Sequence, residues 1–366
     1  VQAAVMRTGS GPFTIEELEL DDPRSGEVLV RMVATGMCHT DLLARALPPE
    51  FCAGPPVYGH EGAGVVEAVG DGVTSVTPGD HVVLSFNHCG VCRACAAGRL
   101  PYCFDFSLHN MSGGRPDGST AFTDAEGEPV GSHFFGQSSF ASHSVVAESS
   151  VVKVDPSLDL ATLGPLGCGV QTGAGAILYT LDVQPGSSVV MTGAGARGLR
   201  AGLAAKIAGA DRIVAIDRHR SRLDLAERFG ATHTLTGQPD QLTAGIQEAT
   251  DGGADAAFDT TGNAAVVRAS FEGLNNLGTI GLAGVGFGDI AFDFLSLIGG
   301  RTITGVMEGD STPSEFIPQL ADLNAEGRFP FDELITTFPL EQINQAEAAS
   351  ADGSVVKPVL LFPDAT

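Results

Sequence analysis

The chain has 366 residues, 43% of them hydrophobic, and its 44 acidic side chains outnumber its 20 lysines and arginines, giving a formal net charge of −24. This length predicts two or three domains, and the composition is that of a globular protein. The charge argues against a binder of nucleic acid or anionic membrane, because such surfaces need clustered cations. No apolar run approaches the ~20 residues of a transmembrane helix, and the first residues lack a signal peptide's cationic start. We therefore expect a cytoplasmic protein with no nucleic-acid or membrane partner.

Lysine is rare among the cations. The sequence contains only Lys153, Lys206 and Lys357, and the remaining 17 of the 20 cations are arginine. An acidic, lysine-poor chain fits either a salt-rich cytosol or a GC-rich genome that favours arginine codons, and both interpretations stay open.

The chain up to about residue 165 has the pattern of a β-rich domain, with apolar runs separated by Gly, Pro and Asp turns. The predicted strands are 27–33, 64–69 and 80–84. From about residue 170, apolar strands alternate with Ala-rich helical stretches, which indicates a parallel α/β sheet. Its predicted elements are strands at 188–191, 212–216, 256–258 and 278–282 and helices at 199–208 and 221–229. A helix at 316–326 and a strand at 356–362 close the chain.

Four of the seven cysteines form a C-x2-C-x2-C-x7-C cluster: Cys89, Cys92, Cys95 and Cys103. Two-residue gaps let neighbouring thiolates turn onto one ion, and four thiolates fit a closed, tetrahedral structural zinc site. An iron–sulfur cluster is the rival interpretation, because it also takes four cysteine thiolates. An odd cysteine count with this clustering favours a metal in a reducing cytosol over disulfides.

Three separate segments carry candidates for a second metal site. Cys38 follows a predicted strand, His60 lies 22 residues later, and Cys168 stands at the junction to the α/β half. A catalytic zinc needs three protein ligands and one open position. Taken singly, each side chain also fits an ordinary core position. The remaining thiol, Cys52, is interpreted as structural.

A G-x-G-x-x-G run follows a predicted strand and opens a predicted helix, as a dinucleotide fingerprint requires. Glycines let the backbone approach a pyrophosphate at the helix N-terminus, and here they are Gly193, Gly195 and Gly198. Asp217 ends the next strand, where its carboxylate would bind the adenosine ribose diol and repel a 2′-phosphate. This predicts NAD rather than NADP, a preference that the adjacent Arg218 would soften.

Taken in order along the chain, these motifs resemble those of the zinc-dependent medium-chain alcohol dehydrogenases. The stretch 59–64 (GHEGAG), the four-cysteine lobe and the dinucleotide fingerprint all match, and the resemblance covers essentially the whole chain. Within that family, the chain is most similar to the bacterial aryl-alcohol (benzyl alcohol) branch, on the stretches 113–119, 133–140 and 163–169.

The resemblance implies a catalytic zinc held by Cys38, His60 and Cys168, and therefore two zinc ions per chain. Asp41 would orient the His60 imidazole, as carboxylates commonly do for ligating histidines. Glu61 would be a nearby carboxylate that approaches the metal during ligand exchange.

The resemblance also places side chains at the adenosine ribose, the pyrophosphate and the nicotinamide end of NAD: Arg222, then His39 and Lys357, then Thr172. Arg197 departs from the family pattern, which has a small aliphatic residue there, and Arg200 follows about one helical turn later. Arg197 either adds a phosphate contact or crowds the nicotinamide.

By the same resemblance, Thr40 is the hydroxyl that accepts the alcohol proton and relays it through the cofactor ribose. Many relatives end this relay at a histidine three residues later, where this chain has Leu43. The relay then ends in water or at a residue such as His39. The family pattern also offers four pocket candidates, which are equally compatible with core packing: Leu43, Ser85, Phe86 and Leu108.

The predicted architecture is α/β. A GroES-like β-rich catalytic domain spans 1–168 with its zinc lobe at about 88–104, a Rossmann doubly wound parallel-sheet domain spans 169–306, and 307–366 returns to the catalytic domain. Because the family associates through the edges of its cofactor-domain sheets, 301–306 is a candidate edge strand in a homodimer or homotetramer.

The predicted function is zinc-dependent oxidation of primary aromatic, allylic or terpenoid alcohols to aldehydes with hydride transfer to NAD, and the reverse. One alternative is a glutathione-dependent formaldehyde dehydrogenase, for which only Arg197 and Arg115 are candidates to meet the carboxylates of its adduct. The other is a non-catalytic, cofactor-binding protein on the same fold.

Overall fold

A computed structural model describes residues 1–7, 11–46 and 56–363 of the chain. The chain forms two compact units. The first, here the catalytic unit, contains Val1–Cys168 and Thr312–Thr366, and the second, the cofactor unit, contains Gly169–Ser311. Cys52 lies outside the described residues. Among the residues described, no helix is long and apolar enough to cross a membrane.

The first part of the catalytic unit is rich in short strands. They are β1 Gln2–Val5, β2 Thr14–Glu17, β3 Glu19–Leu20, β4 Glu27–Gly36, β5 Gly62–Val69, β6 His81–Leu84, β7 Phe122–Thr123, β8 Pro129–Val130, β9 His143–Ala147 and β10 Val151–Lys153. Its helices are short: α1 His39–Ala44, α2 Arg93–Ala96, α3 Phe106–Asn110 and α4 Leu160–Leu163.

The cofactor unit alternates strands and helices. Its strands are β11 Ser188–Thr192, β12 Arg212–Ile216, β13 His233–Leu235, β14 Ala254–Asp259, β15 Leu274–Leu282 and β16 Thr302–Gly305. Its helices are α5 Gly169–Gly175, α6 Ala196–Ala208, α7 Arg220–Arg228, α8 Pro239–Ala249, α9 Ala264–Glu272 and α10 Phe294–Ile298. The chain then returns to the catalytic unit with α11 Pro313–Ala325, β17 Ile335–Pro339, α12 Ile343–Ala351 and β18 Lys357–Leu361.

The main sheet of the catalytic unit has seven strands in the order β10-β6-β5-β4-β18-β17, with β9 also paired to β4. Strand β4 sends Val28, Val30 and Met32 into a hydrophobic core, which follows from the alternation of side chains along a strand. Cys38 lies two residues beyond the end of β4, and His60 lies two residues before β5 begins. Because β4 and β5 pair antiparallel, with Thr35 opposite Gly62, these two side chains come from the same end of the sheet.

The cofactor unit is built on a six-stranded parallel sheet in the order β13-β12-β11-β14-β15-β16. Its central strand β11 is buried along its full length, as expected for a parallel strand covered by helices on both faces. The order reverses around β11, which is the switch point where doubly wound sheets bind ligands at the carboxyl ends of their strands. The predicted fold class is therefore confirmed.

Candidate metal centres and dinucleotide loop

Four side chains of the catalytic unit bring possible metal ligands together. The ligand atoms of Cys38, His60, Glu61 and Cys168 all lie within 4.8 Å of one another, and all four residues are buried. These residues are up to 130 positions apart in the sequence, from 38 to 168. The sheet positions Cys38 and His60, and the turn at Gly164–Gly167 leads directly into Cys168. The donor set of two thiols, an imidazole and a carboxylate is one that zinc accepts.

Asp41 orders the ligand loop around this cluster. One of its carboxylate oxygens, Oδ1, lies 2.6 Å from Nδ1 of His60 and accepts the Gly59 amide at 3.1 Å. The other, Oδ2, accepts the Cys38 amide at 2.8 Å. With Nδ1 facing Asp41, the Nε2 atom faces the cluster, and in the neutral imidazole its lone pair would be available to a metal ion.

The Nε2 atom of His60 is buried and has no hydrogen-bond partner among the residues that the structure describes. Burial alone would lower the pKa of His60, but the Asp41 charge and hydrogen bond, with the Cys38 thiol, hold it well above its usual value. A buried imidazole nitrogen aimed at two thiols, with its opposite edge fixed by a carboxylate, fits a metal site. A metal ion on Nε2 would compete with a proton there.

Glu61 forms an ion pair with Lys357, which the family resemblance assigned to the cofactor pyrophosphate. Its Oε2 lies 2.6 Å from Nζ of Lys357, which also donates to the Met37 carbonyl at 3.1 Å, and both charged side chains are almost fully buried. The positive charge of Lys357 thus offsets that of the carboxylate beside the candidate metal ligands. Its predicted contact with the cofactor pyrophosphate stays a prediction.

The four cysteines of the lobe form the second group of possible ligands, with all four sulfur atoms within 4.8 Å of one another. Backbone amides point at these sulfurs: Cys92 N–H at Cys89, Cys89 N–H at Cys103, and Phe104 N–H at Cys92, at 3.3–3.5 Å. Amide donors from Cys95 and Phe104 lower the pKa of Cys92 to about 6. Such amides stabilise thiolates, the form that binds metal.

The glycines of the dinucleotide loop have separate steric tasks. Gly193 has φ +90°, and a Cβ there would collide with the Thr260 hydroxyl, while a Cβ at Gly198 would collide with the Gly193 carbonyl. Gly195, at the N-cap of α6, faces open space. The open side at Gly195 suits the close approach of a pyrophosphate to the backbone, and the loop fits a dinucleotide.

Asp217 stands immediately after β12 and contacts this loop. Its Oδ2 accepts the Ala194 amide at 2.8 Å, and its Oδ1 accepts the His219 amide at 2.8 Å. Arg218 is exposed, and its Nε lies 3.0 Å from the His219 ring. Burial lowers the pKa of the half-buried Arg222, against the charge of Asp217.

The two unexpected arginines lie on α6. Arg197 donates from Nη1 to the Ala283 carbonyl at 3.4 Å, just beyond the end of β15. Arg200 is fully buried, and its Nη1 is 3.4 Å from the Ala196 carbonyl. These contacts hold both guanidinium groups against the cofactor unit's own backbone.

Thr172 belongs to a buried polar group that the sequence did not reveal. The carboxylate of Glu308 accepts from Gln171 at 3.0 Å and from the Thr172 hydroxyl at 3.5 Å, and Glu308 has a positive φ of 48°. A carboxylate held in left-handed backbone would have been hard to foresee, since its partners are 136 and 137 residues away.

The pocket candidates divide between core and surface. Phe86 and Ser85 are buried, and the Ser85 hydroxyl donates to the Gly167 carbonyl at 2.8 Å, one residue before Cys168. Leu108 is exposed, and Leu43 is partly exposed on α1. The Thr40 hydroxyl lies 3.7 Å from the Cys38 sulfur and is therefore next to the ligand cluster.

Aromatic rings surround the His60 side of the cluster, a feature missed from the sequence. The Phe135 ring stacks on the imidazole at 4.6 Å between centroids and meets Phe106 edge-on at 5.9 Å, and Phe106 lies 6.1 Å from Phe86. These rings give the cluster an apolar wall.

Comparisons with known proteins agree with this architecture. The family model described as "Alcohol dehydrogenase GroES-like domain" matches residues 24–156, and "Zinc-binding dehydrogenase" matches 197–325. The chain is 43% identical to geraniol dehydrogenase from Castellaniella defragrans, over 99% of this chain and 97% of that protein.

Two crystal structures are similar over nearly their full length. An alcohol dehydrogenase zinc-binding domain protein from Burkholderia ambifaria is 49% identical with a TM-score of 0.96, covering 99% of this chain and 98% of its own. Benzyl alcohol dehydrogenase from Acinetobacter calcoaceticus is 43% identical with a TM-score of 0.94, covering 99% of both chains.

A GroES-like unit with a buried Cys/His/Cys cluster and a Rossmann unit with a glycine loop define a zinc-binding dehydrogenase. The chain belongs to the zinc-dependent medium-chain alcohol dehydrogenase family.

Proposed function

We propose that this protein oxidises primary alcohols with aromatic, allylic or terpenoid substituents to aldehydes, with NAD as the hydride acceptor, and catalyses the reverse reaction. The observation that carries the proposal is the buried cluster of Cys38, His60 and Cys168, with Asp41 fixing the imidazole and Thr40 beside it. A non-catalytic protein has no need of such a cluster.

Cys38, His60 and Cys168 would hold one zinc ion, with Glu61 close by, and the four lobe cysteines would hold another. Zinc at the first site supplies Lewis-acid chemistry, which lowers the pKa of an alcohol hydroxyl. The nicotinamide of NAD supplies the position that accepts hydride. Gly193, Gly195 and Gly198 would bind its pyrophosphate at the start of α6.

The chain's own residues handle the proton. The Thr40 hydroxyl would accept the alcohol proton at Oγ1, because it lies beside the ligand Cys38. Leu43 cannot continue a relay through its side chain, so the proton would pass on to water or to His39. Asp41, 2.6 Å from Nδ1 of His60, would keep the imidazole in the ligating orientation.

Aromatic rings beside His60 support the proposed substrate class. Phe135, Phe106 and Phe86 form a contiguous aromatic series beginning at His60, and such surfaces favour planar or bulky apolar groups. The names of two relatives, geraniol dehydrogenase and benzyl alcohol dehydrogenase, support a terpenoid or aromatic alcohol.

Formaldehyde oxidation with glutathione is less compatible with the charges. Arg115, one of the two cations considered for that role, is 5% exposed and is held by Glu27 at 2.6 Å and Asp21 at 2.9 Å. Its guanidinium is thus committed to the catalytic unit's own carboxylates. Arg197 is then the one remaining candidate of the pair.

The central test is NADH production from benzyl alcohol and geraniol by the zinc-loaded protein. We expect turnover that a strong zinc chelator abolishes and added zinc restores. Turnover confined to formaldehyde plus glutathione would support the alternative activity. No turnover across an alcohol panel with zinc fully loaded would refute the proposal.

Asp217 is predicted to select NAD. Asp217→Asn should weaken NAD binding by roughly 10- to 100-fold, because hydrogen bonds to a charged group contribute about 1.5–3 kcal/mol. Binding of NADP should weaken less or improve, since the repulsion of its 2′-phosphate is lost. Dissociation constants of both cofactors, measured against Asp211→Asn as a surface control, test this, and an unchanged NAD/NADP ratio would contradict it.

We also propose a homo-oligomer joined through β16. This strand is the last in the order of the described cofactor sheet, and exposed apolar side chains lie close to it in sequence: Phe294, Leu295, Leu297 and Ile298. Exposed apolar surface of this kind marks interfaces. Leu295→Glu with Ile298→Glu should produce monomers in analytical ultracentrifugation, which also separates dimer from tetramer for the parent. A parent that sediments as a monomer would contradict this proposal.

A further inference from the structure

One segment of the catalytic unit, His133–Phe140, runs against the chain that carries His60, and we refer to it as the strap. The Ser139 and Phe140 amides donate to the Gly59 and Tyr58 carbonyls at 2.9 and 3.0 Å, and the Ser138 hydroxyl donates to the Val57 carbonyl at 2.8 Å. The strap therefore follows the residues leading into His60 one by one.

The backbone of the strap is strained. His133, Phe135 and Ser138 have φ values of +60°, +50° and +54°, in the left-handed region that residues with a Cβ rarely adopt. Three such residues within six positions persist only where their surroundings over-determine them, and such strain gathers at functional sites. The contacts of the strap with its surroundings must therefore maintain this backbone conformation.

The side chain of Gln137 connects the strap to the backbone around His60. It is 1% exposed, its Nε2 donates to the His60 carbonyl at 2.9 Å, and its Oε1 accepts the Gly62 amide at 3.0 Å. A single carboxamide thus bonds the backbone on both sides of Glu61. A further contact from Nε2 to the Ser85 carbonyl, at 3.4 Å, ties the same group to the end of β6.

The rings of Phe135 and Phe134 contact the imidazole of His60. The Phe135 ring lies nearly parallel to the imidazole, at 30° and 4.6 Å, while Phe134 meets it edge-on at 5.6 Å. Asp41 bonds only one edge of the imidazole and leaves it free to tilt about that bond. Rings on its face and side remove that freedom.

We propose that the strap is the positioning element of the metal ligand His60, with Gln137 fixing its backbone and Phe135 fixing its ring. This inference rests on the proposed zinc at Cys38, His60 and Cys168. Neither residue contacts the reacting atoms in this role, because both act through His60. A looser strap lets the imidazole leave the metal more often, so the metal should escape faster.

The test uses protein that carries Co²⁺ at the Cys38/His60/Cys168 site and zinc in the four-cysteine lobe. The variants are Gln137→Met, which removes both backbone bonds at similar size, Gln137→Glu, which keeps an acceptor for the Gly62 amide, and Phe135→Leu. The readouts are the visible cobalt spectrum and the rate of cobalt release to a chelator.

Asn110→Leu is the matched control. Asn110 is another fully buried carboxamide of this unit, and it bonds the Asn87 amide and carbonyl at 2.8 and 2.9 Å. It also donates to the Phe106 carbonyl at 2.9 Å. Its loss should cost the fold about as much as the loss of Gln137, and it removes no hydrogen bond to the backbone on either side of Glu61.

We expect Gln137→Met and Phe135→Leu to release cobalt 10- to 100-fold faster, the usual effect of removing a partner of a metal ligand, with an altered spectrum. Gln137→Glu should be intermediate, and Asn110→Leu should match the parent. If Gln137→Met does not fold, the other two variants decide. Unchanged release and spectrum, or an equal change in Asn110→Leu, would overturn the inference. A parent that takes up no cobalt at this site would instead refute the proposed function.

Discussion

Cys168→Ala is expected to remove the metal from the proposed Cys38/His60/Cys168 site and lower kcat/KM for alcohol oxidation by more than about 100-fold. That factor is the upper end of what loss of a ligand's hydrogen-bonding partner costs, and loss of the ligand itself should exceed it. Cys168 is 1% exposed and stands beside Cys38 and His60, so nothing from solvent can readily replace its thiolate. The measurements are zinc content by elemental analysis and steady-state kinetics.

Ser150→Ala is the control for this substitution. It also removes a single buried heavy atom from the catalytic unit, and within the described part of the chain the Ser150 hydroxyl has no hydrogen-bond partner. The control should keep two zinc ions and full activity. A Cys168→Ala protein that retains both metals and turns over normally would exclude this residue as a ligand.

Cys95→Ala is expected to produce the largest loss of stability. Cys95 and Cys103 are the buried members of the lobe, and binding of structural zinc provides about 10–16 kcal/mol in small zinc-finger peptides. Without its metal, the lobe has little else to order it, because its helix α2 is only four residues long. We expect loss of one zinc, a lower melting temperature and rapid proteolysis within residues 88–104.

The exposed Val91 of the same lobe provides the comparison, since Val91→Ala should leave metal content and melting unchanged. If elemental analysis finds iron in the parent and the protein absorbs visible light, the lobe holds an iron–sulfur cluster instead of zinc. Full resistance of Cys95→Ala to protease would show that the lobe folds without metal.

Much of the fold was predictable because its signals are local. The strands at 188–191 and 212–216 and the helix at 221–229 occur within a residue of their predicted limits. The apolar runs of the two strands are short and end just before Gly193 and Asp217. The start of β15 at Leu274, four residues before the predicted strand, was missed because polar Asn275 and Asn276 precede its apolar part.

Contacts between distant segments were predictable only in part. Arg115 was considered as a possible substrate contact, yet it is held by Glu27 and Asp21, 88 and 94 residues away. A sequence reports that an arginine is present, whereas its partners depend on which strands become neighbours. The same holds for Gln137, whose amide carries no local motif.

The fold class and the family were predictable from the sequence alone, because each depends on spacing within a short stretch or on motif order, and the metal ligands stay a prediction from the same motifs. The cysteine cluster and the glycine loop are patterns of this type. The acidic excess is a property of the composition, and it argued only against nucleic-acid and membrane partners. The Asp41–His60 contact is implied by the family resemblance, and the structure contains it. The ion pair of Lys357 with Glu61 and the stacking of the strap on the imidazole became visible only in the tertiary structure. Those pairings join residues 19 to 296 positions apart, and they exist only once the sheet of the catalytic unit has brought its strand ends together.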